Sequence, residues 1–501
     1  MAWLHPVLLP VLIPLVGAAI CSLISFVRPK VKDLLTCIVS ILAMILTLAS
    51  LLPVYNLLRV EKVIVYVVGG AFVIEADYLS FFLMVAVTAL SFFVSIFAIR
   101  YMERDIGVDK YNVLFLSMVA GMNGVAIAGD LFNLYVFYEL MCISSYVLVA
   151  FRREQWEPIE AGFKYLIMSA VGSTMVLLAI ALIFGFTGTL TLALAGKKMS
   201  EITLRIPVTI KTLLLSLILV GFGVKAALAP LHTWLPDAHP AAPSTISAML
   251  SGIVIETGAY AMIRVLFSVF GLIKEVGLAI AVMATVTMFV GNLFALVQTD
   301  IKRLLAFSSI AHMGYMMLGI GLGGIYGYLG GFFHLLNHAF MKGLAFLCAG
   351  AFIHAIGSRY LGDLTGIARK MPVTCLCFAI ALLSLTGVPP LNGFMSKWLI
   401  FEAGVHENAL IFTVLAMVNS VIALVYYTRV LFTIYFGETS EKAKEAHEAP
   451  ISMLIPMALM SLACIVLGVF PQVGLSIVKP AVESVVNREL FIKAVGLALK
   501  A

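Results

Sequence analysis

The chain is 501 residues long, 62% hydrophobic and only 12% charged, with a formal net charge of +6. A soluble chain of that length carries about twice that share of charged residues, so a water-soluble enzyme is excluded. The small positive excess sits in short loops between apolar runs, a pattern of membrane topology and not of a nucleic-acid partner.

Apolar stretches of about 20 residues recur along the whole chain and predict an all-α polytopic membrane protein of about fourteen transmembrane helices. The spans are expected near 3–27, 34–54, 78–100, 112–129, 131–151, 162–186, 212–235, 244–270, 277–298, 304–323, 325–356, 372–403, 409–436 and 451–471. The first has no basic stretch before its apolar core, so it reads as a membrane helix and not a cleaved signal peptide. The run 325–356 is too long to cross straight and must tilt or bend. The seventh span is interrupted at Ala229-Pro230 and the twelfth at Val388-Pro389-Pro390. Paired interrupted helices mark an inverted-repeat transporter with its site at the repeat interface; two ordinary proline kinks are the plainer alternative. The tract 473–499 alternates apolar residues with Lys479, Glu483, Arg488, Glu489 and Lys493. It is expected as an amphipathic helix lying on the membrane or on a partner.

Basic residues favour the odd-numbered loops: Arg28, Lys30 and Lys32; Arg100, Arg104 and Lys110; Arg152 and Arg153; Lys302 and Arg303; Arg359, Arg369 and Lys370; Lys442 and Lys444. Even-numbered loops hold fewer, with Lys197, Lys198, Arg205 and Lys211 the exception. The odd loops are therefore expected in the cytoplasm and both termini outside. The seven cysteines lie almost all in apolar runs and read as small hydrophobes. Cys375-Leu-Cys377 has no second pair with which to build a metal site.

Ionisable side chains at membrane depth cost from about 3 to 17 kcal/mol on different scales, and they usually mark an ion or proton path. In chain order they are Glu139, Lys225, Glu256, His312, His334, His338, Lys342 and Lys397, with Glu402 near the last. Lys225 and Lys397 each lie beside one of the breaks, where freed carbonyls and room for water let a lysine exchange a proton. Glu139 is expected to pair with Lys225. Closing the pair favours the charged lysine, and separation favours proton release; a static pair is the alternative. His334, His338 and Lys342 fall at i, i+4 and i+8, on one helix face, as a histidine relay would require. The alternatives are hydrogen-bonded core histidines, or a two-histidine metal site with no sequence-adjacent carboxylate or cysteine to complete it. Glu256 shares a face with Arg264 and either joins the relay or neutralises that arginine. His312 is a secondary member, and His354 is placed near the headgroups. His232, Asp237 and His239 flank Trp234-Leu-Pro236 and are expected near the cytoplasmic surface, as a proton entrance or a solvated loop. Asp300-Ile-Lys-Arg303 opens a helix at the same surface as an anchor. There is no cysteine cluster, haem motif or nucleotide fingerprint, so no cofactor is expected in this chain.

Three runs carry a resemblance: Lys225-Ala-Ala-Leu-Ala-Pro-Leu-His-Thr-Trp-Leu-Pro-Asp-Ala-His-Pro-Ala-Ala-Pro-Ser244, Asp300-Ile-Lys-Arg-Leu-Leu-Ala-Phe-Ser-Ser-Ile-Ala-His-Met-Gly-Tyr315 and His334-Leu-Leu-Asn-His-Ala-Phe-Met-Lys342. Over roughly 80–470 the chain resembles the antiporter-like subunits of respiratory complex I, of Mrp-type sodium/proton antiporters and of membrane-bound hydrogenases. The resemblance implies helices 1–3 in 1–110, inverted five-helix repeats in 111–270 and 271–436, and a last helix with its tail in 437–501. It also implies a hydrated polar axis in the membrane plane. By position, Glu139 and Lys225 would be the coupling pair, the histidine helix the central relay and Lys397 the terminal proton-exchanging residue. One departure stands out: where the family usually has a lysine in the eighth helix, this chain has Glu256. That change leaves open a proton line with an acid at its centre, a sodium site or a subunit that no longer conducts. The function implied is translocation of protons, with or without exchange for sodium, in the cell membrane of a prokaryote. The implied partners are other antiporter-like and small membrane subunits, and in the redox-driven alternative an iron–sulfur peripheral arm. A stand-alone cation/proton antiporter and a non-conducting scaffold are the rivals.

Overall fold

The computed structural model describes residues 5–26, 29–68, 72–202, 206–271 and 274–498. Arg28, Arg205 and the side chain of Lys30, counted above among the loop charges, lie outside the described residues. The principal elements, in chain order, are α1 (Leu9–Ile24), α2 (Pro29–Glu61), β1 (Ile64–Val68), β2 (Phe72–Ala76), α3 (Tyr78–Tyr101), α4 (Val108–Ile127), α5 (Leu131–Val149) and α6 (Trp156–Thr187). Next come α7 (Leu192–Ile202), α8 (Val208–Lys225), α9 (Leu235–Ala241), α10 (Ser244–Phe270), α11 (Lys274–Leu296), α12 (Ile301–Leu322) and α13 (Gly324–Ile356). The last are α14 (Pro372–Thr386), α15 (Asn392–His406), α16 (Leu410–Phe436), α17 (Ile451–Val469), α18 (Pro471–Val486) and α19 (Arg488–Ala498).

Twelve helices among the described residues are long and apolar enough to cross a membrane, or up to thirteen if the bent pair Leu361–Arg369 and Pro372–Thr386 is one span. The expected fourth and twelfth spans are present as helices but fall outside the twelve. Asp109, Lys110, Asn112 and Asn123 dilute α4, and the 372–403 span is two halves, α14 and α15, of 15 residues each. Aspartates start three of the helices. Asp77 accepts from Ser80 N (2.8 Å) at α3, Asp130 from Asn133 N (2.7 Å) at α5, and Asp300 from Lys302 N (2.8 Å) at α12. A carboxylate there satisfies amides left unpaired by the first turn and meets the positive end of the helix dipole.

Helices α2, α6 and α16 present leucines, valines and isoleucines outward, among them Leu46, Leu178 and Val425. By contrast, α12 is buried along its whole apolar window and α10 along 89% of its own. A helix wrapped by other helices has no lipid face, so its polar side chains meet protein partners instead of hydrocarbon. Glu256 lies on α10 and His312 on α12, and both are buried.

Loop contacts sort the chain into two faces. Arg152 pairs with Asp105 (2.7 Å), Arg359 with Glu157 (2.7 Å) and Asp300 (2.6 Å), and Lys442 with Asp363 (2.8 Å). These residues belong to the odd loops, which therefore share one face. On the opposite face the hairpin β1–β2 bridges to Ala128 through Ile74, and Asp130 to Thr191. Both described ends of the chain lie there: the His5 ring stacks on Tyr66 (5.1 Å), and Arg488 donates to the carbonyls of Ser268 (2.9 Å) and Gly196 (2.6 Å). The tail, expected as one helix, is two, α18 and α19, and Arg488 at the start of the second caps carbonyls left free at the end of α10.

Candidate functional site

Lys225 is the last residue of α8, where the helix ends ahead of Pro230. The break is accounted for bond by bond. The indole of Trp234 donates to Val224 O (2.8 Å), and Ala229 N donates to Thr287 Oγ1 (3.0 Å). Ala227 sits at φ +51°, a strained conformation for a residue with a side chain. The Lys225 ammonium is 1% exposed. It donates to Ser145 Oγ (3.0 Å) and to the Tyr165 hydroxyl, whose ring stacks on Trp234 at 3.9 Å.

The expected ion pair with Glu139 is open. Among the described residues Lys225 makes no ion pair with a carboxylate, and Glu139 Oε1 has no hydrogen-bond partner. Ser145 lies six residues beyond Glu139 on α5, about 9 Å along the axis. The lysine points to the hydroxyl end of that helix because Tyr165 and Ser145 form a ready acceptor pair there, 2.9 Å apart.

The stem of Lys225 rests on α10 at Gly258, where an added Cβ would lie 2.9 Å from Lys225 Cγ. Two residues earlier on α10, Glu256 Oε1 is hydrogen-bonded to His338 Nδ1 at 2.7 Å, with both side chains fully buried. The alternative in which Glu256 neutralises Arg264 is overturned. Arg264 is bound to Asp77 in a two-pronged pair (2.6 and 2.7 Å) that pattern reading missed, since the partners are 187 positions apart.

From His338 the line crosses to α12. The His312 ring centroid is 5.3 Å from that of His338, and His312 Nδ1 shares a 2.9 Å hydrogen bond with His334 Nε2. His334 Nδ1 then bonds Ser396 Oγ (2.8 Å) on α15. The adjacent Lys397 donates to the carbonyls of Leu385 and Thr386 (3.0 Å each) at the end of α14, and lies 4.7 Å from the Tyr315 ring centroid. Glu402 turns instead toward His406 (3.7 Å). Lys342 donates to Ser308 Oγ (2.5 Å), which contacts the Tyr427 hydroxyl.

His334, His338 and Lys342 are all buried on α13, yet they do not bond one another: His334 reaches α12 and α15, His338 reaches α10, and Lys342 reaches α12. The connection runs between helices through His312, which sequence spacing had ranked as secondary. Among the described residues, no three His, Cys, Asp or Glu side chains are placed to hold a metal ion. Glu256 Oε2 and His338 Nε2 have no hydrogen-bond partner among the described residues. Such atoms cost about 1–3 kcal/mol each when left bare, a cost that a path with changing proton partners has a use for.

On the odd-loop face Asp237 is bound by Lys164 (3.0 Å) and Arg303 (3.3 Å) at a polar cavity of about 200 Å³. A neighbouring cavity of about 410 Å³ is lined by Arg152, Glu157, Arg359 and Lys442 and reaches Lys302. Lys302 is 3% exposed and donates to Ala242 O (2.5 Å), so it is no surface anchor. The C-terminal end of α9 lies over it, with Pro240 O also within reach of its ammonium (3.4 Å). His239 is also a correction to a surface placement: it is fully buried against Phe346 and faces Lys302 and Lys342, both ring nitrogens unpaired among the described residues. His232 is half-buried, its Nδ1 unpaired among the described residues, and His354 lies beside Tyr101.

The sequence pattern described as NADH:quinone oxidoreductase/Mrp antiporter, TM, matches residues 128–423, and that of the complex I chain 5 N-terminus matches 71–112. NADH-quinone oxidoreductase subunit N of Desulforudis audaxviator is 34% identical over 378 residues, 72% of this chain and 74% of that protein. A chain of the membrane-bound sulfane sulfur reductase, an archaeal respiratory membrane complex, superimposes with a TM-score of 0.89 at 30% identity, covering 98% of this chain and 99% of that one. A chain of the Mrp complex from Dietzia sp. DQ12-45-1b does so with 0.88 at 25% identity and the same coverage. With the family pattern spanning more than half its length, from the hairpin bridge to α16, this chain belongs to the NADH:quinone oxidoreductase/Mrp antiporter transmembrane family.

Proposed function

We propose that the chain is a proton-translocating, antiporter-like subunit of a larger membrane assembly, and that protons move along Lys225, Glu256, His338, His312, His334 and Lys397. The reading rests on one observation: buried ionisable groups from α8, α10, α12, α13 and α15 follow one another, with His312 hydrogen-bonded to His334 and its ring beside that of His338. Each step uses this chain's own side chains. Lys225 holds its proton against two hydroxyls. Glu256 and His338 form an acid–base pair that keeps a proton on either partner. Imidazoles accept at one nitrogen and release at the other. An acid at position 256 therefore suits the line, because it faces a histidine. Asp237, Lys302, His239 and Lys342 form the branch from the odd-loop cavities, which we place on the cytoplasmic side of a prokaryotic cell membrane. Glu139 is the partner toward which Lys225 would turn to hold its charge, giving the coupling switch.

In inside-out vesicles containing the intact assembly, Lys225→Ala and Lys397→Ala should each abolish proton movement while the complex still assembles. Wild-type flux in the first would remove the switch, and in the second the terminal assignment. Flux that requires sodium would mark sodium/proton exchange, and flux independent of sodium a proton line alone.

A further inference from the structure

Under the hairpin on the even-loop face lies a carboxyl that the line does not use. Glu75, on β2, is 2% exposed, and neither carboxyl oxygen has a hydrogen-bond partner among the described residues. Its stem is pressed against Gly129, where an added Cβ would meet Glu75 Cγ at 2.5 Å and Cδ at 2.9 Å. The charged groups facing it are Arg264 from α10, Asp77 at the start of α3 and Asp130 at the start of α5.

None of them is free to serve it. The Arg264 guanidinium donates to both oxygens of Asp77, to Ser80 Oγ (2.8 Å) and to the Tyr260 hydroxyl (3.0 Å). Asp130 accepts from Asn133 N, Asn133 Nδ2 (2.5 Å) and Val73 N (3.3 Å). Glu75 thus faces one guanidinium that Asp77 already occupies, together with two other carboxyls. We infer that Glu75 binds a proton and is a second protonatable site, covered by the β1–β2 hairpin on the face opposite the Lys302 cavity.

The electrostatics agree. Burial pushes the Glu75 carboxyl well above its ordinary 4.5, with Arg264 opposing and the two aspartates adding to the rise. Burial likewise raises Asp130, whereas Asp77, though buried, is held low by Arg264 and Ser80. The site does not depend on conduction along the line, because its proton is read on the resting protein.

The test is carbodiimide labelling of native membranes containing the intact assembly, followed by peptide mass spectrometry. Dicyclohexylcarbodiimide reacts with a protonated carboxyl. The acid proton goes to a carbodiimide nitrogen, the carboxyl oxygen bonds the central carbon, and the adduct rearranges to a stable N-acylurea; nothing is oxidised or reduced. Glu75 should be labelled at pH 7, with the yield falling as pH rises, while Asp77 stays unlabelled. Infrared spectra supply a readout independent of reagent access: wild type minus Glu75→Gln should show a protonated-carboxyl band at pH 7 that fades at higher pH. Absence of that band, or an adduct yield on Glu75 no greater than on Asp77, overturns the assignment. If Glu75→Gln does not fold, the labelling of wild type decides alone. Lys225→Ala should leave both signals unchanged, so failure here is distinguishable from failure of the proposed proton line.

Discussion

Replacing His312 by glutamine separates a proton carrier from a mere packing residue. The glutamine amide can still hydrogen-bond His334 Nε2, now 2.9 Å from His312 Nδ1, so the fold should hold. Alanine at the same place would leave that nitrogen bare, at about 1–3 kcal/mol. Glutamine does not take up a proton, however, and without His312 the neighbouring rings of His334 and His338 are 6.5 Å apart between centroids. Direct proton transfer needs heavy atoms about 2.6–3.2 Å apart, and a positioned acid–base group contributes about 10²–10⁴-fold. His312→Gln should therefore lower proton flux at least about 100-fold. The thermal midpoint in detergent should stay near wild type, and His312→Ala should lower both. The assay is dye quenching in inside-out vesicles of the intact assembly, normalised to the reaction or gradient that drives it. Glutamine-variant vesicles that pump at the wild-type rate would refute the route through His312.

Gly258→Ala should place a methyl 2.9 Å from Lys225 Cγ and 3.1 Å from Ala226 N, costing about 1–3 kcal/mol of overpacking. It should also weaken flux, as measured by thermal unfolding and vesicle assay together. Arg264→Leu should destabilise by about 3–5 kcal/mol, because it leaves Asp77 buried and unpaired; loss of folded protein on proteolysis against wild type checks this. The pH dependence follows with its sign. Asp77 has a lowered folded pKa, so its stabilisation is present above its ordinary 3.8 and is lost as pH falls through the lower folded value. Glu75 is raised, so its contribution fades as pH climbs from 4.5 toward its folded value, and Glu75→Gln should remove that slope in a pH series of unfolding midpoints. Asp237→Cys should react with a membrane-impermeant thiol reagent only from the face bearing Arg152, Arg359 and Lys442; labelling from the cytoplasmic side would fix the orientation proposed here.

The membrane class, the spans and the two broken helices were legible from residue order alone, because the cost of exposing backbone to lipid forces long apolar runs and makes prolines within them conspicuous. For the same reason Lys225 and Lys397 stood out: a lysine in such a run has few other uses. Helical spacing correctly put His334, His338 and Lys342 on one buried side. Which groups they touch depended on how α10, α12, α13 and α15 pack. Glu256 meets His338 across 82 positions, and His334 meets Ser396 across 62. Packing also turned Lys225 toward Ser145 in place of Glu139, took Arg264 to Asp77, and set the end of α9 over Lys302. A local pattern states what a side chain would cost if it stood alone in lipid. Its partner is chosen by distance in space, and for these residues only the assembled bundle sets that distance.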